Sequence, residues 1–154
     1  GSFVRTMLVN AGRRDGVAKD FPVVTGDGLI GRIVETGDRV SRILLVNDLN
    51  SRIPVVIGPD RERAVLAGDN TSRPKAIYLA ATVQLKTGAR IVTSGQGGVF
   101  PPGLPVGVVA SIGMDGVRVE TFVRTARLDY VRILDFGLTS ILDGGEPGAT
   151  ALSR

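Results

Sequence analysis

Residues 22–35 read Pro22-Val-Val-Thr25-Gly-Asp-Gly28-Leu-Ile-Gly31-Arg-Ile-Val-Glu35. Two apolar, β-branched runs are separated by a Gly-Asp-Gly turn, and glycine and proline both interrupt helices. Asp27-Gly28 suits a tight turn that needs positive φ, so the stretch reads as a hairpin. The same pattern extends in both directions. Apolar pieces of strand length lie at 4–9, 22–25, 29–35, 42–46, 53–57, 63–67, 75–80, 90–93, 107–112, 117–123 and 128–134. Several alternate: Val117, Val119 and Thr121 point one way, Arg118, Glu120 and Phe122 the other. Asp15-Gly16 and Asp115-Gly116 supply further turn dipeptides. No sustained helical period is present, and the predicted class is all-β.

A second copy of the opening stretch begins at Arg90-Ile-Val-Thr93 and resumes at Gly103-Leu-Pro105-Val-Gly107-Val-Val-Ala110. Each copy is an apolar strand ending in Thr, a connection, and a Gly-led apolar strand. The second carries extra residues, Ser94-Gly-Gln-Gly-Gly-Val-Phe-Pro-Pro102. The repeat predicts two small related six-stranded β-barrels in tandem. The first is placed at 3–70 and the second at 71–137, with the junction in the polar stretch 68–74 and a flexible C-terminal tail at 138–154. The strand at 128–134 either closes the second barrel or returns to the first.

Composition narrows the chemistry. The chain has 154 residues, 43% hydrophobic and 22% charged, enough to bury a core. It has neither histidine nor cysteine, which removes Ser-His-Asp and Cys-His nucleophiles, disulfides, zinc fingers and imidazole-ligated metals. The net charge of +4 is scattered and carried by arginine; the only lysines are Lys19, Lys75 and Lys86. Gly1-Ser2 reads as a cloning remnant, so the chain is expected to be a piece of a longer protein.

Ser94 beside glycines on a β scaffold is the pattern of a protease nucleophile loop, but no histidine can serve as its base and nothing in the sequence brings Lys86 to it. The glycines more simply allow an unusual loop, with Phe100 filling an apolar gap. A phosphate cradle would need a Gly-Lys-Ser/Thr ending, and Phe100-Pro101-Pro102 follows instead. Asp48-Leu49-Asn50-Ser51 lacks the glycine and distant glutamate of a calcium loop and reads as a turn. No cofactor or metal and no catalytic residue is expected. The alternative function is a small basic β-barrel binding single-stranded nucleic acid. Against it, the aromatics Phe3, Phe21, Tyr78, Phe100, Phe122, Tyr130 and Phe136 are scattered one per element rather than forming a stacking platform.

Three blocks carry a family resemblance. They are Asn10-Ala-Gly-Arg-Arg-Asp-Gly16-Val17 with Val23-Val-Thr25-Gly-Asp-Gly28-Leu-Ile-Gly31, then Asp48-Leu-Asn50-Ser51-Arg-Ile-Pro54-Val55, and most specifically Thr93-Ser94-Gly95-Gln-Gly-Gly98-Val99-Phe100-Pro101-Pro-Gly103-Leu-Pro105-Val-Gly107. The chain resembles the periplasmic domain of the MreC family of rod shape-determining proteins over most of residues 4–136. Leu49, where the family often carries proline, and Gly88-Ala89, where Gly-Asp is common, are departures. The resemblance implies the periplasmic part of an inner-membrane protein, anchored through segments outside this chain, with no enzymatic activity. It implies a scaffold of the cell-wall elongation machinery that binds the elongation-specific penicillin-binding transpeptidase, acts with MreD, RodA and MreB, and self-associates. The motif residues are expected to hold backbone shape. Val99 and Phe100 are the candidate partner contacts, read as an apolar loop tip.

Overall fold

The computed structural model describes residues 6–80, 83–124, 130–135 and 148–153. Its strands are β1 (Thr6–Val9), β2 (Pro22–Thr25), β3 (Gly28–Thr36), β4 (Ser41–Leu45), β5 (Arg52–Ile57), β6 (Glu62–Ala67), β7 (Lys75–Ile77), β8 (Arg90–Thr93), β9 (Pro105–Gly113), β10 (Gly116–Thr121), β11 (Tyr130–Asp135) and β12 (Gly148–Ser153). Two single 3-10 turns, Arg13–Asp15 and Phe122–Arg124, complete the described elements. The protein is all-β, as its Gly/Pro punctuation predicts.

The strands divide into a six-stranded sheet, β1-β4-β3-β2-β11-β12, and a closed six-stranded barrel, β10-β7-β6-β5-β8-β9. Three sequence expectations change. The first unit is an open sheet, with β1 and β12 at its edges, rather than a second closed barrel. The chain passes from sheet to barrel between Leu45 and Arg52, not in 68–74, because β5 pairs with β8 through Val55↔Thr93, Val56↔Val92 and Ile57↔Ile91. Thus residues 52–67, expected in the first unit, are two adjacent staves of the barrel. Finally, residues 148–153, expected within a flexible tail, form β12 against β11, from Tyr130↔Ser153 to Asp135↔Gly148. The first two of these changes have one cause: backbone pairing partners distant in sequence leave no local mark on a strand. The remainder of 138–154 lies outside the described residues.

Of the two alternatives for the last predicted strand, the structure has the return. β11 pairs with β2, Arg132↔Val24 and Ile133↔Val23, so the chain closes back on its first sheet.

Inside the barrel, Ile53, Val55, Ile57, Ala64, Leu66 and Ile91 are buried. In the sheet, Val23, Leu29, Ile33, Ile43 and Ile133 are buried. Both sets belong to one continuous apolar cluster. Fully burying such a side chain contributes about 1.5–3 kcal/mol, so this cluster is the main source of stability. The units meet where β3 packs on β9 and on the 3-10 turn at Phe122–Arg124. Gly28, at φ 141°, lies so near Pro105 that a Cβ there would overlap the Pro105 carbonyl oxygen.

Candidate functional site

The loop joining β8 to β9 is built on Thr93. This buried residue donates its hydroxyl to the Pro101 carbonyl at 2.6 Å and accepts from the Leu104 N–H at 2.8 Å. Its backbone N–H reaches the Leu104 carbonyl at 2.9 Å, and its carbonyl accepts from Gly103 N–H at 2.8 Å. One threonine therefore clamps both ends of the loop. Ser94 N–H donates to the Pro54 carbonyl at 3.0 Å, tying the loop to β5. The Ser94 hydroxyl accepts from Gln96 N–H at 3.1 Å, a local turn bond rather than contact with a base. Gly95, Gly97, Gly98 and Gly103 all have φ between 77° and 88°.

Phe100 is 4% exposed and lies in the apolar core; Val99 is partly buried and packs against the same cluster. The expectation of an apolar contact tip at Val99-Phe100 is therefore corrected for Phe100. Its large ring is removed from water by filling the space under the loop, which is the gap-filling alternative. The other motif residues lie at shape-determining positions. Gly16 ends the first 3-10 turn at φ 84°. Gly31 and Gly107 lie beneath the Leu44 and Glu120 carbonyls, where a Cβ would overlap the oxygen. Pro105 opens β9 and abuts Gly28. Asp48 accepts from the Asn50 N–H at 2.8 Å while its carbonyl accepts from Ser51 N–H at 2.8 Å, making the predicted turn. The Thr93–Gly107 motif is spatially continuous; Gly16 and the Asp48–Ser51 turn are elsewhere.

The sequence reading missed Asn47, whose only signal is a polar residue directly after an apolar strand. It is fully buried at the sheet-to-barrel crossing. Its Oδ1 accepts from Thr121 Oγ1 at 2.9 Å and its Nδ2 donates to the Thr71 carbonyl at 2.7 Å. It also missed an ion cluster on the barrel. Arg118 donates to Asp69 Oδ2 at 2.7 Å and to Asp115 Oδ2 at 2.9 Å, and Lys75 lies 3.5 Å from Asp115. The hydrogen bond and charge of Arg118, with Lys75 adding to them, hold the Asp115 carboxyl below its ordinary value. Burial pulls the Arg118 guanidinium down, but its bonds to Asp115 and Asp69 outweigh this and raise it.

A third missed feature is an open groove of about 490 Å3 on the outer barrel wall, lined by Val56, Arg61, Arg63, Ser94, Gly95 and Gln96. Ser94 faces this groove, whereas Lys86 lines a separate hollow with Ile57, Leu85 and Ala89. The Ser94–Lys86 pairing is not assembled, and the groove offers Ser94 arginines instead of a base. Nor do the exposed aromatics meet on one strand: Tyr78 follows β7 of the barrel and Tyr130 opens β11 of the sheet. Phe3 and Phe136 lie outside the described residues.

Comparison with known proteins agrees with the architecture. The family profile described as "Rod shape-determining protein MreC, barrel core" matches residues 1–135. The cell shape-determining protein MreC of Caulobacter vibrioides is 46% identical over 137 residues, covering 88% of this chain and 39% of that protein. The chain spans less than half the length of the curated relatives it matches. The crystal structure of MreC from Pseudomonas aeruginosa superposes with a TM-score of 0.72 at 33% identity, covering 77% of this chain and 81% of that one. Two more distant structures share the fold. One is the major periplasmic domain of the cell shape-determining filament MreC, with a TM-score of 0.66 at 21% identity, covering 78% of this chain and 85% of that one. The other is the Helicobacter pylori complex between Penicillin-Binding Protein (PBP2) and MreC, with a TM-score of 0.55 at 19% identity, covering 66% and 65%. With a profile running through both the sheet and the barrel, and relatives this similar over most of its length, this chain belongs to the MreC family of rod shape-determining proteins.

Proposed function

We propose that the chain is the periplasmic, non-catalytic part of a membrane-anchored scaffold that maintains rod shape by binding the elongation-specific penicillin-binding transpeptidase. The observation that carries this reading is membership of a family in which a chain of this fold is complexed with a Penicillin-Binding Protein. A rigid sheet-and-barrel body suits the role. It alters the transpeptidase only by binding one conformer more tightly than another, and a tenfold preference is worth about 1.4 kcal/mol. MreD, RodA and MreB are the further partners proposed at family level. Self-association is proposed alongside them, supported by the relative described as a filament. We also propose that sheet and barrel are related units, since the β2–β3 and β8–β9 hairpins share their bulge and their buried glycine.

A hydrolytic reading has no support in the geometry, because Ser94 hydrogen-bonds within its own turn and meets no base among the described residues. The decisive experiment is a pull-down of this chain with the periplasmic part of the transpeptidase, mapped by crosslinking. A saturable complex is expected, and Ser94→Ala is expected to retain both binding and cell-shape complementation. Absence of any complex overturns the scaffold reading; loss of complementation in folded Ser94→Ala that still binds the transpeptidase restores the hydrolase. Salt-sensitive binding of a single-stranded oligonucleotide in place of the transpeptidase favours the nucleic-acid alternative.

A further inference from the structure

β3 of the sheet packs against β9. In the closed ring β10-β7-β6-β5-β8-β9, the stave farthest from β9 is β6. The outer wall around β6 is thus turned away from the sheet. Because Ile53, Val55, Leu66 and Ala76 are buried inside, the alternate residues of β5, β6 and β7 face outward. One outward row is Pro54↔Val65↔Ile77, apolar and partly exposed. The next is Val56↔Arg63, where Val56 is only 5% exposed and floors the groove walled by Arg61, Arg63 and the 94–96 loop.

Two strained residues flank this wall. Among the described residues, four non-glycines have positive φ: Asp20, Arg61, Asn70 and Tyr78. Asp20 and Asn70 are types that tolerate the left-handed region, and each side chain accepts a hydrogen bond, from Arg32 and from the Leu49 N–H. Arg61 (φ 54°) and Tyr78 (φ 64°) have neither excuse. Arg61 ends the turn from Gly58, and Tyr78 follows Ile77 and is 82% exposed. Neither Arg61 nor Arg63 forms an ion pair among the described residues, whereas Arg13, Arg32, Arg42, Arg73 and Arg118 all do. Arginine and tyrosine are the residue types over-represented at binding hot spots, and such strain collects at functional positions.

We propose that the outer wall of β6, with Arg61, Arg63 and Tyr78 around an apolar floor, is the docking face for an extended, carboxylate-bearing segment of the transpeptidase. Charge complementarity commits it to an acidic occupant: two guanidiniums without an ion pair among the described residues, beside an apolar strip, match carboxylates interleaved with apolar side chains. The inference rests on the proposed transpeptidase binding and adds the surface that performs it.

The test is the Kd of the 154-residue chain for the periplasmic part of the transpeptidase. The double variant Arg61→Glu/Arg63→Glu is compared with Arg14→Glu/Arg39→Glu, which changes the charge equally at exposed sheet-side positions. The groove pair is expected to weaken binding by about tenfold or more and the sheet pair by less than about twofold. Arg61→Gly relieves the left-handed strain while removing the guanidinium. It is expected to raise the thermal midpoint by about 2–4 °C and still weaken binding, an outcome that misfolding does not produce. Tyr78→Ala is expected to weaken binding several-fold. Equal loss in the two double variants, or full affinity in Arg61→Gly, overturns the groove while leaving the scaffold reading intact. No binding by the unaltered chain overturns both.

Discussion

The β2–β3 and β8–β9 hairpins start from the same sequence pattern and reach different ends. In both, the first strand ends in threonine and the pairing slips by one residue in its middle, at Val23/Val24 and at Ile91/Val92. In both, a glycine pairs just before the slip, Gly31 with Val23 and Gly107 with Ile91, and lies under a carbonyl of the next strand. The connections diverge. Thr25 accepts a 3.1 Å bond from the Asp27 N–H in an exposed two-residue turn, whereas buried Thr93 clamps the loop from Ser94 to Leu104. One hairpin belongs to an open sheet and the other to a closed barrel. A shared local motif therefore specifies a bulged hairpin but neither the length it spans nor the sheet it joins.

The largest effect expected on this pair comes from its glycines. Gly31→Val and Gly107→Val each force a side chain into backbone, which can yield only by breaking the ladder, and each is expected to cost more than about 3 kcal/mol. Thermal unfolding and soluble yield measure it; tolerance of one but not the other breaks the equivalence of the hairpins. Next is the threonine. Thr93→Val keeps the shape but orphans the Leu104 N–H and the Pro101 carbonyl, for an expected loss of about 1–3 kcal/mol. Thr25→Val, at a wet turn, should stay within about 0.5 kcal/mol. Equal losses by denaturant titration would erase the contrast.

The smallest effect concerns the ion cluster that follows the barrel hairpin into β10. Asp115 is exposed, and its folded pKa lies below the ordinary 3.8. A depressed carboxyl contributes stability above its unfolded pKa and loses it as pH falls through the folded value. The thermal midpoint of the unaltered chain should exceed that of Asp115→Asn slightly at neutral pH, and the gap should close only below about pH 3.8. A gap that closes near neutrality, or one of opposite sign, contradicts the assignment.

Much of the fold was legible in the chain itself. The segments 22–25 and 90–93 coincide with β2 and β8, and most other predicted strands differ from those observed by one or two residues. The strand expected at 117–123 stops at Thr121 because Phe122–Arg124 turns as a 3-10 element. β12 was missed because 148–153 (GATALS) has no strong alternation. Of the candidate site, the loop and its glycines were legible; the sequence admits Phe100 as either plug or contact, and its burial selects the plug. Arg63, like Arg32, Arg42 and Arg52, reads in the sequence as either a solvated strand face or the rim of a protein interface. Arg61 and Tyr78 gave no signal, since an isolated arginine or tyrosine looks the same whether solvated, paired or strained.

The chain alone dictated where strands begin and stop, because glycine, proline and alternating apolar residues act on their immediate neighbours through φ, ψ and side-chain direction. It also dictated what chemistry is absent, because no fold supplies a missing histidine or cysteine. Tertiary structure alone decided which edges pair, which unit closes, and that β11 returns to β2 rather than completing the barrel. Every strand offers the same backbone donors and acceptors, so the choice among partners falls to core packing over the whole molecule, which no short stretch of residues contains.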